Sequence, residues 1–175
     1  MRAIEPIAKF DLAFSLMCLQ NKHRHLVSRL SKAISHTGDG HLYVLLGVLA
    51  LWLDGQHGRY FLLSGLLAFV IELPCYWLLK NTIKRRRPNE LTGLIPAFIT
   101  PSDKYSLPSG HTAAAFVIAI LLSHFYPQLA AFAFVWASMI AFARILLGVH
   151  FFSDVVLGAC LGIATATFAL QWFGV

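Results

Sequence analysis

The chain has 175 residues, of which 58% are hydrophobic and only 13% are charged, and its mean hydropathy is +0.68. Soluble domains carry about 25% charged residues, so this composition excludes an ordinary water-soluble domain and indicates an integral membrane protein. The net charge of +6 comes from 14 lysines and arginines that are clustered along the chain. The three cysteines have no spacing typical of a disulfide framework or a metal site, and we expect none.

The N-terminal segment, residues 4–19, predicts an amphipathic helix that lies in the membrane interface. Its apolar residues are interrupted by Glu5, Lys9 and Asp11, which a membrane-spanning helix would not carry so close together. A basic, histidine-rich stretch follows at residues 22–32, and a turn is predicted at residues 37–40. We expect a single membrane-embedded domain over residues 1–175, in which residues 1–40 form the interfacial helix and basic segment.

Apolar segments predict about five transmembrane helices in an all-α, polytopic helix bundle. They cover residues 42–53, 60–79, 112–126, 129–149 and 155–173. The first has only 12 residues, about 18 Å as a helix, and the hydrocarbon core is roughly 30 Å thick. The bundle therefore has five spanning helices, or four if this run does not cross. Small residues recur in the last three segments, which lets helices pack closely.

The polar segment at residues 80–110 is too long and too charged to be a simple connector. Following the chain through the spans places it on one face of the membrane, with residues 20–40 and the junction around His150. The short turns at residues 54–59 and at Pro127 lie on the opposite face. We therefore expect residues 80–110 to form the loop of a functional site.

Lys80, Lys84 and Arg87 have i, i+4, i+7 spacing, which puts them on one face if the second span continues as a helix. Such cations either anchor a helix to lipid headgroups or bind a multiply charged anion, since arginine offers phosphate oxygens a planar fork. Both readings remain open from spacing alone.

Ser109, Gly110 and His111 come directly before an apolar helix. A helix N-terminus presents free N–H groups to an anion, glycine permits close backbone approach, and a histidine can transfer a proton near neutral pH. The segment thus predicts a phosphate site, the alternative being a helix cap beside an interfacial histidine.

His150 and Asp154 are four residues apart at the start of the last span, so they can share one helix face. Arg144 lies about two turns inside the preceding span. The carboxylate can orient the imidazole and leave its other nitrogen free as a nucleophile, or the pair can merely satisfy a buried junction. Arg144 needs a polar cavity or a partner. Glu72, deep in the second span, either pairs with Arg144 or bonds to the carbonyl that Pro74 frees.

Together these residues resemble the three-part signature of the type 2 phosphatidic acid phosphatases, also called lipid phosphate phosphatases. One departure is Ala143, where the family usually has serine; we expect weaker transition-state stabilisation but not loss of activity. The matching blocks are Lys80-x6-Arg87-Pro88, Pro108-Ser109-Gly110-His111 and Arg144-x5-His150-x3-Asp154.

The resemblance implies a metal-independent phosphatase, without cofactor, that works through a phosphohistidine. His150 would attack phosphorus, Asp154 would orient it, and His111 would protonate the leaving oxygen and later activate water. The phosphate oxygens would be held by Lys80, Arg87, Ser109, Gly110 and Arg144.

The implied partners are the lipid bilayer and a lipid phosphate or pyrophosphate, such as phosphatidylglycerophosphate, phosphatidic acid or undecaprenyl pyrophosphate, and no nucleic acid. We expect a multi-pass protein of a bacterial cytoplasmic (inner) membrane. The positive-inside rule places the site in the cytoplasm, whereas several bacterial members of the family work on the other side, so the side stays open. The alternatives are a lipid phosphotransferase with the same site, a vanadate-dependent haloperoxidase, and a non-enzymatic lipid transporter or anion-binding protein.

Overall fold

The structure, a computed structural model, describes residues 5–20, 22–91 and 95–175. Within these residues the chain forms eight helices and no strand, which confirms the predicted all-α bundle. A 3₁₀ turn at Pro127–Leu129 precedes the seventh helix. The helices are α1 (Glu5–Leu19), α2 (Arg24–His36), α3 (His41–Leu53), α4 (Gly55–Ile83), α5 (Pro88–Leu91), α6 (Gly110–Phe125), α7 (Ala130–Leu146) and α8 (Phe152–Phe173).

Among the described residues, three stretches are long and apolar enough to cross a membrane: Gly55–Leu91, Pro127–Leu146 and Phe152–Phe173. They correspond to the predicted second, fourth and fifth spans. The helices at the predicted first and third spans, α3 and α6, are shorter, with 13 and 16 residues. The chain is therefore a membrane helix bundle in which the shorter helices pack among the longer ones.

Helix α6 is the centre of the bundle and packs against α4, α7 and α8. Its contact with α8 depends on glycine, because a Cβ atom at Gly162 would stand 2.2 Å from the Ala113 carbonyl oxygen. A Cβ atom at Gly158 would stand 2.5 Å from the Ser109 carbonyl oxygen. Small residues thus bring α8 against α6, as the sequence predicts.

The N-terminal helices turn polar faces inward. The predicted first helix is present as α1, although residue 4 lies outside the described residues. Its buried side includes Asp11 and Ser15, whereas Phe10 and Met17 are exposed. The basic stretch after it, to which the sequence assigned no helix, forms α2, and three of its serines are buried where α2 packs on α7. Because lipid rather than water surrounds the bundle, burying polar side chains and exposing apolar ones is favourable on these helices.

The three polar segments meet at one end of the bundle, as predicted. The Phe98 N–H donates to the Leu147 carbonyl across 3.0 Å, and the Ser106 N–H donates to the Arg85 carbonyl across 2.9 Å. At the opposite end, His57 Nε2 lies 2.8 Å from the Phe125 carbonyl oxygen. The long loop is thereby fixed against the α7–α8 junction.

Candidate active site

The cations Lys80, Lys84 and Arg87 do not share one helical face. Helix α4 ends at Ile83, and Lys84 takes a left-handed conformation with φ of 51° and is exposed. The prediction that Lys80, Lys84 and Arg87 line one continuous helix is therefore wrong. The chain turns back after Lys84, so that Lys80 and Arg87 converge on the same carboxylate, that of Asp103.

Asp103 sits between the two cations. Both Lys80 and Arg87 form ion pairs with it, and the Tyr76 hydroxyl donates to it. Although burial raises the pKa of Asp103, the hydrogen bonds from Lys80 and Tyr76 lower it to about 2. Lys80 and Arg87 are themselves almost fully buried. This cluster can therefore hold an oxyanion, and a carboxylate of the chain holds that position here.

Arg87 also joins the loop to the α7–α8 junction. Its Nη1 donates to the Val149 carbonyl at 2.6 Å, and its Nη2 donates to the Tyr105 carbonyl at 3.0 Å. Because these carbonyls hold the guanidinium rigidly, its remaining donors keep a fixed direction.

The predicted phosphate segment lies at the start of α6. The Ser109 N–H donates to the Asp154 carbonyl at 3.0 Å, and the Ser109 hydroxyl accepts from Thr112 at 2.9 Å. A Cβ atom at Gly110 would meet the Tyr76 ring at 3.0 Å, so glycine allows close approach here. The α6 N-terminus is thus held next to the start of α8.

His111, the second residue of α6, is oriented by a residue from the turn before α3. Its Nε2 lies 2.9 Å from Asp39 Oδ1, and Asp39 Oδ2 lies 2.6 Å from His36 Nδ1. Burial opposes the change, but the hydrogen bonds from His111 and His36 lower the pKa of Asp39. Asp39 therefore stays ionised and stabilises a proton on either imidazole.

His150 and Asp154 come together differently from the prediction. Helix α8 begins at Phe152, so His150 precedes the helix and the two residues do not share a helix face. Asp154 Oδ2 accepts from the Phe151 N–H at 2.7 Å and lies 3.7 Å from His150 Nδ1. Burial lowers the pKa of His150 to about 4. The imidazole is therefore neutral near pH 7 and has a carboxylate behind it.

Arg144 lies in the last turn of α7, which ends at Leu146, rather than two turns inside a helix. Its Nη1 donates to the hydroxyl of Ser35 in α2 at 2.8 Å. Its buried Nε has no hydrogen-bond partner among the described residues. Among the described residues, no ion pair joins Arg144 to Glu72, although both side chains line the same cavity.

A cavity of about 500 Å³ connects these residues to the side of the bundle. Its walls between α3, α4 and α6 are mostly apolar, and Val44, Val48 and Leu66 among them are also exposed on the outside. The cavity therefore opens sideways from a polar end. That end is lined by Glu72, Tyr76, Ser102, Asp103, Gly110, His111, Arg144 and His150.

Of the predicted site residues, Gly110, His111, Arg144 and His150 line this cavity. Lys80 and Arg87 reach its polar end through Asp103, while Ser109 and Asp154 stand behind it. Sequence reasoning missed Asp103, Asp39, Arg85 and Asp11 as members of the site. Their only signal was a charge in a turn or an apolar helix. The described residues contain no cluster of three or more His, Cys, Asp or Glu side chains that could hold a metal ion.

Comparison with known proteins identifies the family of this chain. The model of the PAP2 superfamily matches residues 57–175. A probable lipid phosphate phosphatase beta of Arabidopsis thaliana is 31% identical over 143 residues, covering 65% of this chain and 66% of that protein, just under two thirds of its length. A decaprenylphosphoryl-5-phosphoribose phosphatase of Mycobacterium tuberculosis is 33% identical over 136 residues, covering 75% of this chain and 72% of that protein.

Solved structures with the same architecture extend the likeness to almost the whole chain. Aquifex aeolicus LpxE superimposes with a TM-score of 0.82 at 28% identity, covering 93% of this chain and 95% of its own. A transmembrane PAP2 type phosphatidylglycerolphosphate phosphatase of Bacillus subtilis gives a TM-score of 0.78 at 26% identity, covering 98% and 89%. The chain therefore belongs to the PAP2 superfamily and is a membrane protein.

Proposed function

We propose that this protein is a membrane lipid phosphatase that removes a terminal phosphate from a lipid phosphate or pyrophosphate through a phosphohistidine on His150. One observation carries the proposal: His150 is buried, has Asp154 behind it, and lies at the polar end of a cavity with apolar walls. Burial lowers the pKa of this imidazole, which favours its neutral form. A neutral imidazole is nucleophilic, and an apolar cavity fits a lipid chain.

In this proposal the substrate phosphate takes the place that the Asp103 carboxylate holds between Lys80 and Arg87. Arg144, which has a buried Nε without a partner in the described part of the chain, adds a third cation. Ser109 and the backbone of Gly110 supply further donors at the start of α6. These groups neutralise the charge that develops on the three equatorial oxygens.

The reaction has two displacements. His150 Nδ1 faces Asp154, so Nε2 attacks phosphorus, an N–P bond forms, and the P–O bond to the lipid breaks. His111 gives its proton to the leaving oxygen. Water then attacks the phosphohistidine while His111 takes a proton from it, the N–P bond breaks, and inorganic phosphate leaves with both histidines restored.

The three cations supply the charge neutralisation that a metal ion provides in other phosphatases. We therefore expect catalysis without a metal. The apolar walls that α3, α4 and α6 give the cavity suit a substrate that stays in the bilayer, such as phosphatidylglycerophosphate, phosphatidic acid or undecaprenyl pyrophosphate. The names of the relatives from Bacillus subtilis and Mycobacterium tuberculosis are those of phosphatases of such lipids. A bacterial cytoplasmic membrane is the compartment we propose.

The test is phosphate release from those three lipids in mixed micelles, with EDTA present and absent. Wild type should release phosphate from at least one lipid, at a rate that EDTA leaves unchanged. His150→Ala should release none, whereas His124→Ala, an exposed histidine at the other end of the bundle, should match wild type. Release by His150→Ala contradicts the mechanism, inhibition by EDTA contradicts metal independence, and transfer of labelled phosphate to a second lipid indicates a phosphotransferase.

A further inference from the structure

Arg85 occupies a position between Lys80 and Arg87 that the three-part signature leaves unspecified, and its side chain reaches the His150 side of the site. Its Nη1 donates to Asp154 Oδ1 at 2.7 Å and to the Ser153 hydroxyl at 2.6 Å. Its Nη2 donates to Asp11 Oδ2 at 2.6 Å, and its guanidinium lies 4.4 Å from the centre of the Phe151 ring. One side chain thus joins the loop after α4 to α1 and α8.

Arg85 binds Oδ1 of Asp154, the carboxylate oxygen that faces away from His150. Oδ1 is held by Arg85, while Oδ2 accepts from the Phe151 N–H and faces His150 Nδ1. A carboxylate held at both oxygens cannot rotate away from the imidazole. Arg85 also places a positive charge next to Asp154, which weakens the field of that carboxylate at His150.

Asp11 explains why Arg85 stays in this position. Asp11 is fully buried although it belongs to an apolar helix, and its Oδ1 accepts from the Ser153 N–H at 3.0 Å. A buried carboxylate without a cation is costly, so Asp11 and Arg85 hold each other. Helix α1 packs on α7 and α8, and it therefore contributes a charged group to the site from outside the segment that the family model covers.

We propose that Arg85 is a positioning residue for the reaction at His150 and that Asp11 of α1 holds Arg85 in place. This inference rests on the proposed function, because it assigns a role in that reaction. The charged and titratable groups around His150 come from several elements. They are Asp154 on α8, Arg144 on α7, Arg87 beside α5, and, in the same cavity, Glu72 and Tyr76 on α4, His111 on α6 and Asp103 in the loop. Arg85 and Asp11 act on His150 through Asp154.

The experiment measures kcat and KM for a lipid phosphate, and kcat/KM against pH, in detergent. Arg85→Gln should lower kcat about tenfold or more, as loss of a partner that orients a functional histidine does, with KM within about twofold of wild type. Arg85→Lys, which keeps the charge, should recover part of the rate. Arg86→Gln is the matched control, because Arg86 is the next arginine and is exposed.

The pH profile separates positioning from a merely structural role. Removing the positive charge of Arg85 makes the potential at His150 more negative, so the acidic limb of kcat/KM should move to higher pH. Asp11→Asn removes a negative charge beside Arg85, so the potential at His150 becomes more positive. The acidic limb of kcat/KM should therefore move to lower pH, with a smaller loss of kcat. Glu5→Gln, at an exposed position of α1, should change neither.

Thermal unfolding of each variant shows whether it is folded, and if Arg85→Gln is not, the partial loss of rate in Arg85→Lys and the move of the acidic limb to lower pH in Asp11→Asn decide the outcome. An Arg85→Gln enzyme with kcat within twofold of wild type overturns the inference. So does a loss of rate that follows the loss of thermal stability while the acidic limb stays fixed. If wild type itself releases no phosphate, the proposed function fails and this inference with it; an active wild type with unaffected variants defeats the inference alone.

Discussion

The two ends of the helix bundle differ in the side chains that they bury. At the site end, Lys80, Arg87, Arg144 and Asp154 are buried and are held by partners from other segments of the chain. At the opposite end, aromatic rings pack together around Phe125. Buried charges contribute little to net stability, whereas aromatic packing contributes directly. We therefore expect substitutions at the site end to affect activity and substitutions at the opposite end to affect stability.

The largest expected effect comes from exchanging one histidine at each end. His150→Gln should lower kcat by about a thousandfold or more, as loss of a nucleophile does, without lowering the free energy of unfolding by more than about 1 kcal/mol, since Nδ1 has no hydrogen bond within the described residues. His57→Gln should lower stability by about 1 kcal/mol through the contact with Phe125 and leave kcat unchanged. Phosphate release and thermal unfolding of both variants check this. Equal effects of the two variants on both quantities would contradict the separation of activity from stability.

The contact between α6 and α8 should affect stability most. A side chain at Gly162 would overlap the Ala113 carbonyl, so Gly162→Val should lower the free energy of unfolding by about 1–3 kcal/mol or more. Ala164→Val, an exposed position on the same helix, should change it by no more than about 0.5 kcal/mol. Thermal unfolding in detergent measures both. Equal stability of the two variants would show that α8 does not pack on α6 through Gly162.

Replacing Asp103 should have an intermediate effect on thermal stability, and this effect should depend on whether an oxyanion is bound. Asp103→Asn leaves the buried Lys80 and Arg87 without their carboxylate, so the free protein should unfold at lower temperature. An added oxyanion such as vanadate should restore more stability to this variant than to wild type. Glu90→Gln, an exposed acidic residue near the same loop, is the control. Stabilisation by vanadate that is equal in all three proteins would argue against an oxyanion position between these cations.

The smallest effect is expected at Lys84. Because Lys84 is exposed and turned away from Lys80 and Arg87, Lys84→Ala should keep kcat and KM within about twofold of wild type, as surface substitutions usually do. Steady-state kinetics measure this. A KM raised tenfold would instead place Lys84 with the cations of the site.

Much of the fold could be predicted because long apolar runs have few alternatives in a membrane. The runs behind α4, α7 and α8 were visible in the sequence, and the signature named the residues that line the polar end. Helix α2 was missed because it buries serines and exposes leucines, which reverses the usual periodicity. Soluble-protein patterns do not describe a helix of this kind.

The remainder of the site depends on how the loops return to the bundle, which spacing does not encode. The reversal at Lys84 brought Lys80 and Arg87 together by a turn instead of a helix face. Asp103, Asp39 and Asp11 reach the site from three segments that are far apart in the chain. Helical spacing is informative within one element, but contacts between elements need the three-dimensional structure.

The most direct test of the central claim is a rapid-quench experiment with a lipid phosphate labelled with ³²P at its terminal phosphate. Samples quenched in base during turnover should carry an acid-labile label on the protein, and peptide mapping should place it on His150. The label should appear and decay at rates consistent with kcat and be absent from His150→Gln. If quenched wild-type protein never carries label while phosphate is released, or if the label maps to another residue, the account is contradicted.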